Sequence, residues 1–158
     1  VLNFIPDLKS ALTEFKRVIK TGGTIAAYVW DYSGKMELMR YFWDAAVRLF
    51  EDAREIDEAA RFEICNPERL ADEFNSAGLK NTEVTFIDVP TVFKDFDDYW
   101  TPFLSGIGPA PGYCMSLTEE KKNILRSEVH KSLPIEKNGS IKLIARAIAV
   151  KAENNNTR

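Results

Sequence analysis

Few residues of this chain have the types and spacing that metal binding or nucleophilic catalysis requires. Three carboxylates cluster at Asp95, Asp97 and Asp98, but such groups at the start of a helix are more often partners of the helix dipole than ligands of a metal ion. The single histidine, His130, lies on a predicted helix, and no serine or cysteine nucleophile stands at a recognisable spacing from it. We therefore predict no metal site and no catalytic triad.

The composition excludes several other classes of protein. The chain has 158 residues, of which 45% are apolar and 28% charged, so it can bury the core of one domain. Its net charge of -3 leaves no positive excess to neutralise a nucleic acid backbone. Cys65 and Cys114 are too few and too far apart for a zinc site or a disulfide framework, which fits a cytoplasmic protein. The uncharged run from Tyr99 to Thr118 is rich in proline and glycine and predicts a loop, not a membrane span.

Hydrophobic periodicity and capping residues predict an α/β order of elements. An amphipathic helix capped by Asp7 ends at Gly22 and Gly23, and the apolar run from Thr24 to Trp30 is typical of a strand covered on both faces. A long helix is predicted from Met36 to about Ala60, with a charged part after Glu51, and a second helix starts at Asn66 and Pro67. A strand follows from about Thr82 to Val89 and is stopped by Pro90. The last two predicted elements are a helix that begins at the capping-box pattern Ser116 to Glu119 and a strand from about Ile141 to Lys151.

Several stretches together resemble a known family. Residues 2–7 read Leu-Asn-Phe-Ile-Pro-Asp, residues 11–24 place Arg-Val-Ile-Lys before Gly-Gly-Thr, and residues 26–31 read Ala-Ala-Tyr-Val-Trp-Asp. With the aromatic and proline-rich stretch 99–111, this pattern resembles class I S-adenosylmethionine-dependent methyltransferases along essentially the whole chain. The family's glycine-rich turn after its first strand and its acidic residue at the end of its second strand are absent from these residues. The resemblance is therefore to the C-terminal part of that family.

The resemblance implies a fold class and a division of the chain. We expect the C-terminal part of a Rossmann-like methyltransferase sheet, with family strand 5 at Thr24 to Trp30, strand 6 at Thr82 to Val89 and an antiparallel strand 7 at Ile141 to Lys151. Family strand 4 would survive only as a stub, so that the sheet edge reads 4-5-7-6. Residues 1–152 would form a single incomplete domain, and residues 153–158 a disordered polar tail.

The resemblance also implies roles for individual residues. Asn3 and Phe4 match the family segment beside the methyl-bearing sulfur, with a frayed terminus as the alternative. Asp31 and Tyr32 follow family strand 5 and are candidates for a catalytic base where the acceptor is a hydroxyl. Trp30 could shape the wall of a pocket or complete the core. Four aromatic residues around the predicted loop would contact an organic acceptor or anchor the loop, namely Tyr99, Trp100, Phe103 and Tyr113.

Two functions remain open from the sequence. The first is S-adenosylmethionine-dependent methyl transfer to a small organic acceptor, with the isolated chain inactive because it lacks the cofactor-binding half. The second is a stand-alone oligomeric interaction module derived from a truncated methyltransferase, and in both cases an unpaired sheet edge predicts a homodimer. A third hypothesis is an α+β ligand-binding barrel unrelated to methyltransferases, in which the strands at residues 24 and 82 pair directly.

Overall fold

A computed structural model describes residues 2–155 of the chain, and Val1 and residues 156–158 lie outside the described part. The helices are α1 Leu8–Val18, α2 Glu37–Leu49, α3 Ala53–Ile56, α4 Glu58–Arg61, α5 Pro67–Ser76, α6 Phe96–Trp100, α7 Pro109–Ser116 and α8 Glu119–Ser132. The strands are β1 Thr24–Trp30, β2 Lys80–Phe93 and β3 Ile141–Glu153, and short 3-10 turns cover Leu2–Phe4 and Thr101–Leu104. Among the helices of residues 2–155, none is both long enough and apolar enough to span a bilayer.

The three strands form one sheet in the order β1-β3-β2. β3 pairs antiparallel with β1, from Thr24 opposite Glu153 to Trp30 opposite Ala147. Cross-strand contacts place Asn81 at Glu153 and Phe86 at Arg146, so β2 also runs opposite to β3. Helices on an antiparallel three-stranded sheet confirm the predicted mixture of helices and strands. The barrel hypothesis required β1 to pair directly with β2. It is wrong, because β3 lies between these two strands.

Contacts divide the described chain into two compact units. The first comprises residues 2–31, 62–87 and 146–155, and includes β1, α1 and α5. Its buried residues include Val29 of β1, Leu12 of α1, and Leu70 and Phe74 of α5, and α1 contacts α5. Asp7 caps α1 by accepting from the Ser10 amide, as its position before the apolar stripe predicts.

The outer face of β1 does not follow the sequence prediction. The apolar run predicted a strand covered on both sides, but Tyr28 is 65% exposed and Trp30 is 37% exposed. Alternate residues, such as Val29, are buried. β1 is also the terminal strand of the sheet and not an interior one. A continuous apolar run therefore marks here an edge strand with one open face.

The last described residues complete the first unit. The Asn154 side chain donates to the carbonyl oxygens of Lys16 at 3.1 Å and Ile19 at 3.3 Å, at the carboxyl end of α1. Its backbone amide donates to Gly23 at 2.9 Å, and its carbonyl accepts from Gly22 at 2.7 Å. Gly22 has a φ of +77°, the left-handed conformation that suits glycine after a helix. Residues 156–158 of the predicted tail lie outside the described residues, and the tail stays a prediction for them.

The second unit comprises residues 32–61 and 88–145. Its core gathers aromatic residues of α2, α6 and the 3-10 turn Thr101–Leu104, with Leu125 and Val129 of α8. The predicted helix from Met36 to Ala60 is divided into α2, α3 and α4. Whether the two units act as the single domain predicted for residues 1–152 stays a prediction.

Two predictions about prolines are wrong. β2 does not stop at Pro90 but continues to Phe93, because β2 is an edge strand and an edge tolerates a residue without an amide hydrogen. The predicted loop between Tyr99 and Thr118 contains the turn Thr101–Leu104 and α7. Their prolines stand in the first turn, where a helix needs no amide donor. The start of α8 is also later than predicted, since Thr118 and not Ser116 caps it.

Candidate functional site

The carboxyl end of β1 carries the first group of predicted site residues. The last ladder bonds of β1 fix this end, since the Asp31 amide donates to the Arg146 carbonyl at 2.9 Å. Asp31 is 8% exposed, whereas the neighbouring Trp30 side chain lies on the open face of the sheet. The strand thus ends in a buried carboxylate beside a half-exposed indole.

The 3-10 turn Leu2–Phe4 lies against β1 in the same unit. Phe4 is 69% exposed, and the edge of its ring meets Phe62 with the ring centroids 5.3 Å apart. Burial, together with the negative charge of Asp31, raises the pKa of the Cys65 thiol to about 12. Phe62 therefore lies beside Phe4, and Cys65 lies within the electrostatic range of Asp31.

Trp30 and Asp31 thus mark the end of β1, and the turn that carries Asn3 and Phe4 lies against the same strand. A buried carboxylate and an amide side chain can orient a polar ligand or accept a proton from it, and exposed rings can exclude water from it. The predicted roles in cofactor binding, acceptor binding and base catalysis stay predictions. Tyr32 begins the second unit, where its carbonyl oxygen accepts from the Arg40 guanidinium at 3.3 Å.

The four aromatic residues of the predicted loop lie in the core of the second unit. Phe103 stacks on Phe42 with ring centroids 4.5 Å apart, and Trp100 tilts against Phe103 at 5.8 Å. Tyr99 is completely buried and donates its hydroxyl to the Leu38 carbonyl at 2.8 Å. Burial raises the pKa of the Tyr99 phenol, which therefore stays a neutral donor.

Tyr113 completes this aromatic group from α7. Its ring lies 5.6 Å from the Trp43 ring, and its hydroxyl donates to an Asp52 carboxylate oxygen at 3.2 Å. Burial raises the pKa of Tyr113, with the nearby Asp52 charge acting in the same direction. The packing of all four rings fits the hydrophobic anchoring that the sequence left open as an alternative. Their contact with an acceptor stays a prediction.

Sequence reasoning missed a buried polar network in the second unit. Arg40 donates to both oxygens of Asp57, at 2.8 and 3.0 Å, and also pairs with Asp44. The adjacent Glu58 is 3% exposed and accepts the indole N–H of Trp43. The charged stretch after Glu51 predicted solvent exposure or a break. The helix does break after Leu49, but Asp57 and Glu58 are buried. The one local signal was the helical spacing of Arg40 and Asp44.

The described residues do not fit the cradle that S-adenosylmethionine requires in this family. Such a cradle is a glycine-rich turn that follows a strand and opens a helix. Residues 31–36, between β1 and α2, contain Gly34 as their one glycine, and β2 is followed by Lys94 and the cap of α6. Gly22 and Gly23 lie at the opposite end of β1, where they follow α1. Nor do residues 2–155 contain a group of three or more His, Cys, Asp or Glu side chains placed to hold a metal ion.

Comparisons with known proteins give a structural similarity but no match of sequence. No protein-family model matches the chain, and its sequence matches no curated protein. Among solved structures, it is similar to a proposed methyltransferase of Bacillus halodurans C-125, with 17% identity and a TM-score of 0.47. The match covers 96% of this chain and 60% of that protein, so the chain spans less than two thirds of its length. At this TM-score the two structures share too little for the comparison to bear on function.

Proposed function

We propose that this chain forms the C-terminal side of a class I S-adenosylmethionine-dependent methyltransferase that acts on a small organic acceptor. The observation that carries the proposal is the strand order β1-β3-β2 with β3 antiparallel. It corresponds to the order 5-7-6 that the sequence resemblance implies, and β3 is the last strand in the chain yet lies between the other two. An open edge at β1 is the place where family strand 4 would pair.

The isolated chain is proposed to be inactive. The described residues offer no glycine-rich cradle, and we assign no catalytic step to them. In a complete enzyme, Asn3 and Phe4 would lie beside the cofactor, Trp30 would form part of the acceptor wall, and Asp31 or Tyr32 would accept a proton. Cys65 and Cys114 are both free and buried, which agrees with the proposed cytoplasmic location.

Calorimetric titration with S-adenosylmethionine tests the incompleteness of the chain. We expect no saturable heat with the 158-residue protein. A stoichiometric site of micromolar affinity would overturn this part of the proposal.

The family assignment needs a second measurement. The chain extended by the residues that its gene encodes upstream should bind S-adenosylmethionine and transfer a labelled methyl group to a panel of small organic acceptors. Replacing Asp31 with Asn in that extended protein should lower the rate for hydroxyl acceptors without changing cofactor affinity. An extended protein that does not bind the cofactor would refute the assignment.

The alternative function is a stand-alone interaction module. It is favoured by the open face of the sheet in the first unit, where Tyr28 is 65% exposed and Ile87 48% exposed. These side chains border a shallow groove of about 480 Å³ floored by Ala26 and Ala149. A stop codon and a start codon immediately upstream of Val1 would support the module over the enzyme.

A further inference from the structure

The turn that leads into β3 contains a chemically reactive pair of residues, Asn138 and Gly139. Every other asparagine of the chain is followed by a residue that carries a side chain. Both residues of the pair are exposed, so water reaches them. Gly139 has a φ of +87°, and a Cβ atom built on it would have no neighbour within 4 Å. The pair is therefore open to solvent and free of steric crowding.

The Asn138 side chain is folded over the peptide bond that follows it. Its Oδ1 atom accepts from the Ser140 amide at 3.1 Å and from the Ser140 hydroxyl at 2.8 Å. To reach a donor two residues later, the side chain must extend across the backbone nitrogen of Gly139. The Cγ atom of Asn138 is thus held on the same side as the nitrogen with which it can close a succinimide ring.

The two donors of Ser140 also activate the side-chain carbonyl of Asn138. Hydrogen bonds to a carbonyl oxygen stabilise the negative charge that develops on it when a nucleophile attacks the carbon. One contact works against the attack, since the Gly139 amide donates to the Glu136 carbonyl at 2.9 Å. That proton must leave before the nitrogen can act as a nucleophile, and the exposure of the turn makes it accessible to hydroxide.

We propose that Asn138 is a site of spontaneous deamidation, in which Gly139 supplies the nucleophile and Ser140 polarises the reacting carbonyl. The Gly139 nitrogen loses its proton to hydroxide and forms a bond to Cγ of Asn138, and the C–N bond of the side-chain amide then breaks. The leaving nitrogen takes up a proton from water and departs as ammonia. Water then adds to either carbonyl of the succinimide, and the ring opens to an aspartate or an isoaspartate.

The two products differ in their effect on the turn. Aspartate keeps the acceptor oxygen and can retain both bonds from Ser140. Isoaspartate adds a methylene group to the main chain, inside a turn that is closed by the bond from the Glu136 amide to the Ser140 carbonyl at 2.8 Å. The next residue, Ile141, is completely buried and pairs with Ile135. The isoaspartyl form should therefore weaken the start of β3.

This reaction goes beyond the proposed function, because it needs only water and the chain itself. It is tested without S-adenosylmethionine and without a methyl acceptor. Its failure would leave the proposed function untouched, and the reverse also holds.

Incubation of the purified 158-residue protein at pH 8, followed by isoelectric focusing and peptide mapping by mass spectrometry, is the first test. We expect a form with one additional negative charge to accumulate, with the change located at Asn138 as a mixture of aspartyl and isoaspartyl peptides. Asn123 is the internal control, since it is also exposed but lies within α8 and precedes Ile124. Deamidation at Asn138 that is no faster than at Asn123 overturns the proposal. A product that contains aspartate alone excludes the succinimide and also overturns it.

Substitutions then test the role of each group. Asn138→Gln requires a larger ring, so the acidic form from this position should be lost. Ser140→Ala removes the hydroxyl donor and should slow the reaction at Asn138, whereas Ser140→Thr keeps a hydroxyl and should retain the rate. Circular dichroism establishes that each variant is folded. An unchanged or higher rate in Ser140→Ala, or an equal loss in Ser140→Thr, overturns the role of Ser140.

The Asn138→Asp variant reproduces one product directly and tests the predicted difference between the two. It should unfold at the same urea concentration as the natural protein, and the isoaspartyl fraction of the aged protein should unfold at a lower one. An isoaspartyl fraction that is as stable as Asn138→Asp would overturn the predicted effect on the turn.

Discussion

The hydrogen bond between Trp43 and Glu58 allows a sharp test of the buried polar network. Trp43 is completely buried, and its indole N–H donates to the Glu58 carboxylate. Burial raises the pKa of Glu58, while the Trp43 bond opposes that shift. The carboxylate is thus a good acceptor, but its charge is costly at this position.

Two substitutions separate these contributions. Glu58→Leu removes the acceptor and leaves the indole N–H unsatisfied in the core, so we expect a loss of about 1 to 3 kcal/mol in the free energy of unfolding. Glu58→Gln keeps an oxygen acceptor but carries no charge. We expect Glu58→Gln to be at least as stable as the natural protein at pH 7.

The pH dependence has a defined sign. Because the pKa of Glu58 is raised on folding, the folded protein binds this proton more tightly than the unfolded chain. The stabilisation from the protonated form is fully present below the unfolded value of 4.5 and is lost as the pH rises through the folded pKa. The stability of Glu58→Gln relative to the natural protein should therefore increase from pH 4.5 towards neutrality.

Urea unfolding of the three proteins across this pH range measures both effects. Other carboxylates are common to all three proteins, so the differences report on residue 58. The reasoning is refuted if Glu58→Gln is destabilised as much as Glu58→Leu at pH 7, or if the difference between Glu58→Gln and the natural protein does not change with pH.

Two further predictions concern the ends of α1 and the cysteines. Asn154→Ala should lower the free energy of unfolding by about 2 kcal/mol in urea, because it removes two bonds to the carbonyls of Lys16 and Ile19; Asn155→Ala, at an exposed residue, is the control and should have little effect. Equal effects of the two variants would contradict the capping role of Asn154. Burial raises the pKa of Cys65 to about 12 and of Cys114 to about 11, so both thiols should react slowly with Ellman's reagent at pH 8 and rapidly in urea. A thiol that reacts rapidly in the folded protein would contradict this packing.

The sequence predicted correctly two helices whose first residue is fixed by a capping side chain. Asp7 and Asn66 cap α1 and α5 as their positions predict, because a cap is decided within one helical turn. The strand Thr24–Trp30 was also located correctly. The exposure of one face of this strand was not predicted. Whether a face is covered depends on elements that are distant in sequence.

The errors share a dependence on context. Pro90 and Pro109 were read as strand and helix breakers, but the first lies on a sheet edge and the second in the first turn of α7. The burial of Glu58 depends on Trp43, fifteen residues earlier, for which no motif exists. Of the candidate site, the position of Trp30 and Asp31 at the end of β1 follows from the strand assignment, and the roles of all candidate residues stay predictions.

The composition of β2 bears on aggregation. β2 is an outer strand of the sheet and contains Pro90 together with the charged residues Glu83 and Asp88. Such a strand resists the addition of a further strand. Growth of the sheet into filaments from the β2 side is therefore disfavoured.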